Sequence, residues 1–361
     1  MSLNDILGSA MSGLSASQAG MRSVSNNIAN VGTAGYARER VSLSTGVSGG
    51  RVSGVVIGEP ERVADKFLEG AVYRRAGDMG RSEAAASYLD RLQSLLGAPG
   101  AESGLPARLS AIAASAARLT GLPGSAQAIA QFTGNVQDAI TSLNQLDSDV
   151  AGLRADVESE VGYSVDRVNT LLAQIHDLND QVSRLEGLGR STAGPADQRM
   201  SALEELSGLM KVAIREQPDG RVTIDTASGQ VLLDRRLRQL SYPGGSGASQ
   251  PTYAAIDIRF ANPGGGAGAA TGDKIDSAAI GGKLGGLIDL RDRALPEFSE
   301  KLSVLFTGMA ETLNTASNAG TSFPAPASLD GRPSGLTGTD RLGFTGAAIF
   351  AVTQADGTLV A

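Results

Sequence analysis

The sequence predicts a mainly α protein with a smaller β part: an elongated helical bundle or coiled coil, opened by an N-terminal helix and interrupted by a region of β-hairpins. Three observations carry this. Apolar residues keep helical spacing with small stutters from Val136 to Leu185, a run of roughly 55 residues or about 80 Å at 1.5 Å per residue. The first residues repeat in a 4-3 rhythm, Leu3, Leu7, Ala10, Leu14, Ser17, Met21, Val24 and Ile28, the mark of one apolar seam made to meet another helix. After Lys211 the period shifts towards two, with Asp219-Gly220 and Ser228-Gly229 at hairpin-turn positions.

The N-terminal seam is thin. Gly8, Gly13 and Gly20 lie inside it, and each interior glycine costs a helix about 1 kcal/mol relative to alanine. The segment is therefore expected to be mobile in the free chain and to become helical on packing with partners. Gly13 and Gly20 beside the seam would let neighbouring helices approach closely. A helix docked on its own domain is the alternative that the rhythm leaves open. The segment ends in Ser25-Asn26-Asn27-Ile28-Ala29-Asn30-Val31-Gly32-Thr33-Ala34-Gly35-Tyr36. Asn30 and Gly32 are residue types that tolerate a left-handed helix end, and Gly35 permits a positive φ in a turn anchored by Tyr36.

Residues 37–58 read as a linker of two short extended pieces around Gly49-Gly50. Residues 59–96 read as helix, with Val63, Phe67 and Ala71 opening the pattern and Leu92, Leu95 and Leu96 closing it before Gly97-Ala98-Pro99-Gly100. An alanine-rich helix follows from Glu102 to Thr120, then the long helix over 125–188, ended by Gly187 and Gly189, and a shorter one from Asp197 to Met210. Short strands are expected at Val212–Arg215, Val222–Asp225, Val231–Leu233, Leu237–Leu240 and Tyr253–Phe260, within a hairpin region of about 211–275. Asn262–Gly272 reads as a glycine-rich loop. A last long helix starts near Lys283, with a kink or restart at Pro296. Residues 321–361 turn Pro/Gly/Ser-rich, with a strand-like piece at Ala347–Val352.

Composition narrows the function classes. With 361 residues the chain can bury two or three cores, and its net charge of -7 argues against nucleic acid or an anionic membrane as main partner. Aromatic residues are 4% and tryptophan is absent, so cores must come from Leu, Val, Ile and Ala, which suits helix-helix packing better than an aromatic-lined pocket. The absence of cysteine excludes disulfides and thiolate metal sites. No run of about 18 apolar residues is present for a membrane span. No basic-then-apolar leader opens the chain, which fits a cytoplasmic protein or one exported without a cleaved signal.

No catalytic constellation emerges, and no catalytic, cofactor or metal residues are assigned. His176, the single histidine, sits beside Ile175 on the long helix and reads as a helix-surface side chain, since a general base needs a cleft and an oriented partner. Asp147-Ser148-Asp149 lacks the turn glycine and terminal glutamate of a calcium loop. Gly264–Gly268 lacks the Lys-Ser/Thr of a phosphate loop. Arg235, Arg236 and Arg238 are expected to face solvent rather than to bind nucleic acid. No Gly-x-Ser-x-Gly elbow is present.

The pattern that begins at Ser23 with one residue of slack, or at Ser25 directly before Asn26-Asn27, and continues through Ile28-Ala29-Asn30, Thr33 and Gly35-Tyr36 to Arg38, resembles the N-terminal signature of bacterial flagellar rod, hook and hook-associated proteins. Leu178–Leu185, Asp197-Gln198-Arg199 with the leucine-striped helix and hairpins after it, and Gly282–Leu287 opening a helix that runs to Leu313-Asn314 are similar to hook-associated protein 1, the FlgK family. The resemblance covers nearly the whole chain, in order. It implies a structural, non-enzymatic subunit at the hook–filament junction, exported without a cleaved signal and extracellular in the flagellum. Residues 1–36 would be an axial inner-tube segment with Leu3, Leu7, Leu14, Met21 and Ile28 as assembly contacts, 37–58 a linker, 59–320 a helical bundle domain, and 321–361 the truncated start of an outer β-rich domain. The implied partners are other copies of the chain in a ring, the hook protein, a second junction protein and an export chaperone. Family members normally continue into more outer domain and a second axial helix, so a shortened form without the chaperone-binding region is expected. A hook or rod subunit is an alternative that the long helix argues against. A cytoplasmic coiled-coil binding module, with an ordered N-terminus and no export, is an alternative of another class.

Overall fold

The computed structural model describes residues 3–33, 35–97, 103–122, 125–243, 253–262, 267–319, 352 and 354. The architecture is mainly α with small antiparallel sheets. In chain order the elements are α1 Leu3–Ala29, β1 Glu39–Ser48, β2 Arg51–Arg62, α2 Lys66–Leu96, α3 Leu105–Gly121, α4 Ala126–Gly187 and α5 Ala193–Leu209. Strands β3 Val212–Glu216, β4 Val222–Thr226, β5 Val231–Leu233, β6 Arg238–Ser241, β7 Asp257–Ala261 and β8 Ala267–Lys274 follow. The chain then forms α6 Gly282–Asp289, a π turn Leu290–Ala294 and α7 Leu295–Ala319.

Two compact units divide the chain, one of residues 1–95 and 148–297, the other of residues 96–147 and 298–361. The first unit is built on α4. Its residues Val150, Leu153, Val157, Val161, Val168, Leu171, Leu172, Ile175, Leu178 and Val182 are buried, the apolar series that the sequence spacing marks out. Leu203 and Leu206 of α5, Ile224 and Leu240 of the sheets, and Leu284 and Leu287 of α6 are buried as well. In the second unit α3 and the start of α4 bury Leu105, Ala139, Leu143 and Leu146. Asn135 there donates to the Ala111 carbonyl at 3.1 Å, and Arg108 pairs with Asp138 at 3.4 Å.

The sheets run β3-β4-β5 and β6-β7-β8, each antiparallel throughout. Two asparagines of α4 fix them in place by imitating a peptide group. Asn179 donates to the Val222 carbonyl at 2.8 Å and accepts the Val222 N–H at 3.0 Å. Asn169 does the same to Leu240, at 2.9 and 2.7 Å. Each carboxamide extends the hydrogen bonding of a strand end onto the helix, so its buried polar atoms are satisfied.

Glycines set the close approach of α2, α5 and α6. Gly282 has φ of 59°, and a Cβ there would lie 2.6 Å from the Leu209 carbonyl carbon and the Met210 nitrogen. A Cβ at Gly80 would lie 2.2 Å from the Gly208 oxygen, and one at Gly286 2.8 Å from the Arg81 oxygen. The Gly281–Gly286 run that marks a helix start in sequence is thus also a packing surface.

Several expectations are corrected. Residues 59–62 continue β2, because Arg40 pairs with Glu61 and Glu39 with Arg62, and helix begins at Lys66. The glycine-rich stretch expected as loop carries β8, whose small residues pair with β7 along a sheet edge where little side-chain packing is required. The restart at Pro296 is a π turn just before it; proline cannot donate to the carbonyl one turn back, and the widened turn absorbs the mismatch. α1 is helical from Leu3 to Ala29 in the single chain. Arg238 is not a solvated strand arginine: it pairs with Asp234 at 3.2 Å and lies with Arg236 over the Phe260 ring. The piece expected as strand at Ala347–Val352 lies outside the described residues, apart from Val352, which is irregular.

Candidate functional site

The region worth building up is the N-terminal module, α1 with the β1–β2 hairpin, and its seat on α5. α1 uses its two faces unusually. The face turned to the hairpin carries small and polar residues: Ala16 and Ser23 are buried and Ser12, Asn27 and Asn30 half-buried. Ser12 Oγ accepts the Val55 N–H at 3.1 Å. Gly54 makes this approach possible, since a Cβ there would meet the Ser12 hydroxyl at 2.3 Å.

The opposite face is the apolar seam, and it is exposed. Leu3 is 82% exposed, Leu7 59%, Leu14 61%, Met21 63% and Ile28 70%. Ile6, Met11 and Val24, which share the stripe, are exposed as well. Exposed apolar residues are ordinary when scattered; a continuous stripe along a helix marks an interaction surface. Added Cβ atoms at Gly13 and Gly20 would meet nothing within 4 Å, so in the single chain those positions are open rather than packed.

The signature residues form the corner where α1 hands over to β1. Asn26 is the last full-turn acceptor: its carbonyl takes the Asn30 N–H and side-chain amide, both at 3.0 Å. The Thr33 N–H then donates to the Asn30 carbonyl at 2.9 Å and the Tyr36 N–H to the Thr33 carbonyl at 3.2 Å. Gly35 supplies the positive φ, 77°. Asn30 and Gly32 do not adopt the left-handed conformation; successive turns close the helix without it. Asn27 is the hub. Its Oδ1 accepts the Glu39 N–H at 2.8 Å and the Tyr36 hydroxyl at 2.7 Å, while its Nδ2 donates to the Glu39 carbonyl at 2.9 Å. Ser23 Oγ donates to the same carbonyl at 3.0 Å. Ser25, Ile28 and Ala29 point away from the corner and are exposed. Burial raises the Tyr36 hydroxyl above its ordinary range, with the nearby Glu39 and Asp197 charges adding to it.

The module sits on α5 through groups that the sequence did not mark as a site. Asp197 Oδ1 accepts the Ala37 N–H at 3.1 Å and the Arg62 Nε–H at 2.6 Å. Arg62 also pairs with Glu69 of α2 at 2.6 Å and touches the Met200 sulfur. Ser191 Oγ donates to the Pro60 carbonyl at 2.6 Å. At Gly35 a Cβ would lie 2.9 Å from the Asp197 oxygen, so only glycine fits against α5 here. Burial raises the Asp197 carboxyl above its ordinary value, against the opposing pull of Arg62 and the Ala37 N–H. Behind it, buried Arg199 donates to Asn179 Oδ1 at 3.0 Å and to the Gly220 carbonyl at 2.7 Å, and burial lowers its pKa. Asp197-Gln198-Arg199 therefore faces two ways: Asp197 towards the hairpin, Arg199 towards the β3–β4 turn.

A cleft of about 300 Å³ lies between the corner and the helices, lined by Thr33, Tyr36, Gln174, Gln198, Arg167 and Glu205. Arg167 and Glu205 close one wall with paired contacts of 2.6 and 2.7 Å. Asp197, Ser201, Ala202 and Leu171 complete its lining. His176 is half-buried on α4 with its Nδ1 unpaired. Among the described residues no cluster of three or more His, Cys, Asp or Glu is arranged to hold a metal ion, and no helix is long and apolar enough to cross a membrane. One amide, Asn27, joins α1 to the hairpin, and one carboxylate, Asp197, joins the hairpin to α5.

The family described as flagellar hook-associated protein FlgK helical domain matches residues 89–331, and that of flagella basal body rod protein matches residues 7–36. Flagellar hook-associated protein 1 of Escherichia coli K12 is 28% identical over 358 residues, covering 94% of this chain and 63% of its own. That of Bacillus subtilis 168 is 26% identical over 249 residues, covering 65% and 49%. A solved structure of the flagellar hook junction protein FlgK from Burkholderia pseudomallei aligns with a TM-score of 0.49 at 21% identity, over 61% of this chain and 38% of that one. The chain thus spans less than two thirds of the length of these relatives. Because the helical-domain match alone takes in more than half of the sequence, the chain belongs to the flagellar hook-associated protein FlgK family.

Proposed function

We propose that the chain is a structural subunit of the bacterial flagellum that assembles at the hook–filament junction and adapts the hook to the filament. One observation carries the reading: the folded chain packs α1 by its small polar face and leaves its apolar stripe in solvent. A helix that only stabilised its own domain would do the reverse. Leu3, Leu7, Leu14, Met21 and Ile28 are the contacts to neighbouring copies in a ring. The corner built by Asn26, Asn27, Asn30, Thr33, Gly35 and Tyr36 sets their direction. Residues 1–36 act as the axial segment and 59–320 as the helical domain behind it. The partners are the hook protein on one side and a second junction protein on the other, after export without a cleaved signal. The role is structural and extracellular, not catalytic; the family match and the names of the relatives support it.

Deletion of the encoding gene, followed by electron microscopy and an assay of flagellin in the medium, tests this. Bare hooks with flagellin shed into the medium are expected. Normal filaments would overturn the junction role, and loss of the hook itself would move the chain to the hook or rod.

A further inference from the structure

We infer that Asp197 is the positioning residue that pins the N-terminal module, residues 3–62, to the helical elements and so fixes the direction in which α1 presents its apolar stripe. α1 packs on β1 and β2, so its orientation is inherited from the hairpin. The hairpin enters just after Ala37 and leaves at Arg62. One oxygen, Asp197 Oδ1, holds both points: the Ala37 N–H at 3.1 Å and Arg62 Nε at 2.6 Å. Two bonds on one acceptor at the two ends of a hairpin define a pivot, and a small displacement there is carried along the length of α1.

The surroundings fit a seat rather than an incidental ion pair. Asp197 and Arg62 are largely withdrawn from water, with side chains 12% and 16% exposed. A carboxylate kept in such a place is held for geometry, because desolvation offsets much of what its charge contributes. Arg62 continues the seat to Glu69 on α2 and to Met200 on α5. Gly35 lets the backbone come within contact of the Asp197 carbonyl and Ser201. Asp197 does not act as a helix cap: α5 starts at Ala193 behind Thr192. The consequence for assembly rests on the junction reading; the pivot itself does not.

Hydrogen exchange of the free 361-residue chain, read by mass spectrometry, tests the pivot. In Asp197→Ala the amides of residues 35–62 should exchange at least about tenfold faster while those of buried α4 residues such as Val168 and Ile175 keep their rates. Arg62→Gln breaks the pin from the module side, leaves α5 intact, and should give the same pattern even if Asp197→Ala folds poorly. The double variant should be no worse than the stronger single one, as members of one coupled pair are not additive. Asp197→Asn, which keeps an acceptor for the Ala37 N–H, should recover part of the protection. Unchanged exchange in residues 35–62 for both single variants would overturn the proposal, as would equal acceleration of the module and the α4 core. None of these readings depends on assembly, so the pivot can fail while the junction role stands, and the reverse.

Discussion

Replacing Asn27 by alanine removes three hydrogen bonds at once: to the Glu39 carbonyl, from the Glu39 N–H and from the Tyr36 hydroxyl. A typical bond contributes about 1 kcal/mol net, and a buried donor left without a partner costs about as much again. The corner is half-buried, so solvent recovers part of that, and the sum comes to roughly 2–4 kcal/mol. At 1.4 kcal/mol per decade this raises local opening by roughly one and a half to three orders of magnitude. The amide of Glu39 reports it directly, because its N–H is the one that Asn27 accepts. Asn27→Asp should fall between wild type and Asn27→Ala: it keeps the acceptor but sets an oxygen against the Glu39 carbonyl. Exchange at Glu39 that stays at the wild-type rate would refute the reasoning, since the three bonds would then not be what closes the corner. Equal acceleration at Val168 in α4 would refute it differently, by showing that the corner opens only with the whole unit.

Other outcomes follow from the same structure. Leu14→Gln with Met21→Gln changes side chains that are 61% and 63% exposed, so the free chain should keep its stability within about 0.5 kcal/mol, while a strain carrying it should fail to retain filaments; a large drop in melting temperature would contradict the exposed stripe. Gly282→Ala should destabilise the first unit by roughly 3 kcal/mol or more, combining left-handed strain with contact against fixed backbone atoms, seen as a lower denaturant midpoint. Burial pushes the Tyr73 hydroxyl up to about 12 from an ordinary 10.0. Its folded-state pKa is raised, so the stability it contributes is complete below the ordinary value and is lost as pH rises towards the folded one. Tyr73→Phe should melt like wild type at neutral pH, lose less stability over that alkaline interval, and remove one late-titrating phenolate from the absorbance titration.

The helices were legible because periodicity reports burial, and α4 buries a stripe along most of its length: Val150, Val157, Val161, Val168 and Ile175 are both the periodic residues and the buried ones. β8 was not legible, because Ala267–Lys274 holds its place by backbone pairing along an edge, and one threonine among alanines and glycines is too little to announce a strand. The seam of α1 could be read as a surface made to meet something. Its orientation could not: whether Leu14 faces its own hairpin or solvent depends on the Gly54 contact with Ser12, which lies 42 residues away in the chain. The signature residues were visible as a pattern, yet only the structure gives Asn27 its hydrogen bonds and leaves Ser25 and Ala29 without a place in the corner. Asp197 was visible only as part of the Asp197-Gln198-Arg199 resemblance and Arg62 not at all, and nothing in the sequence joined them, since an arginine at a strand end is commonplace until it meets its partner. A pattern does unite the asparagines: Asn27, Asn169 and Asn179 each treat one strand residue as a peptide partner. Neither aspartate nor alanine can do that, and glutamine is one methylene too long to sit so close.

The outward stripe of α1 has a kinetic side. On the junction reading, a folded chain whose apolar stripe is already solvated carries in every copy a driving force for association that needs no change of fold to release it. Association of such copies follows mass action, so dilution holds them apart. Synthesis and delivery are then timed against association, because the described fold already presents the stripe.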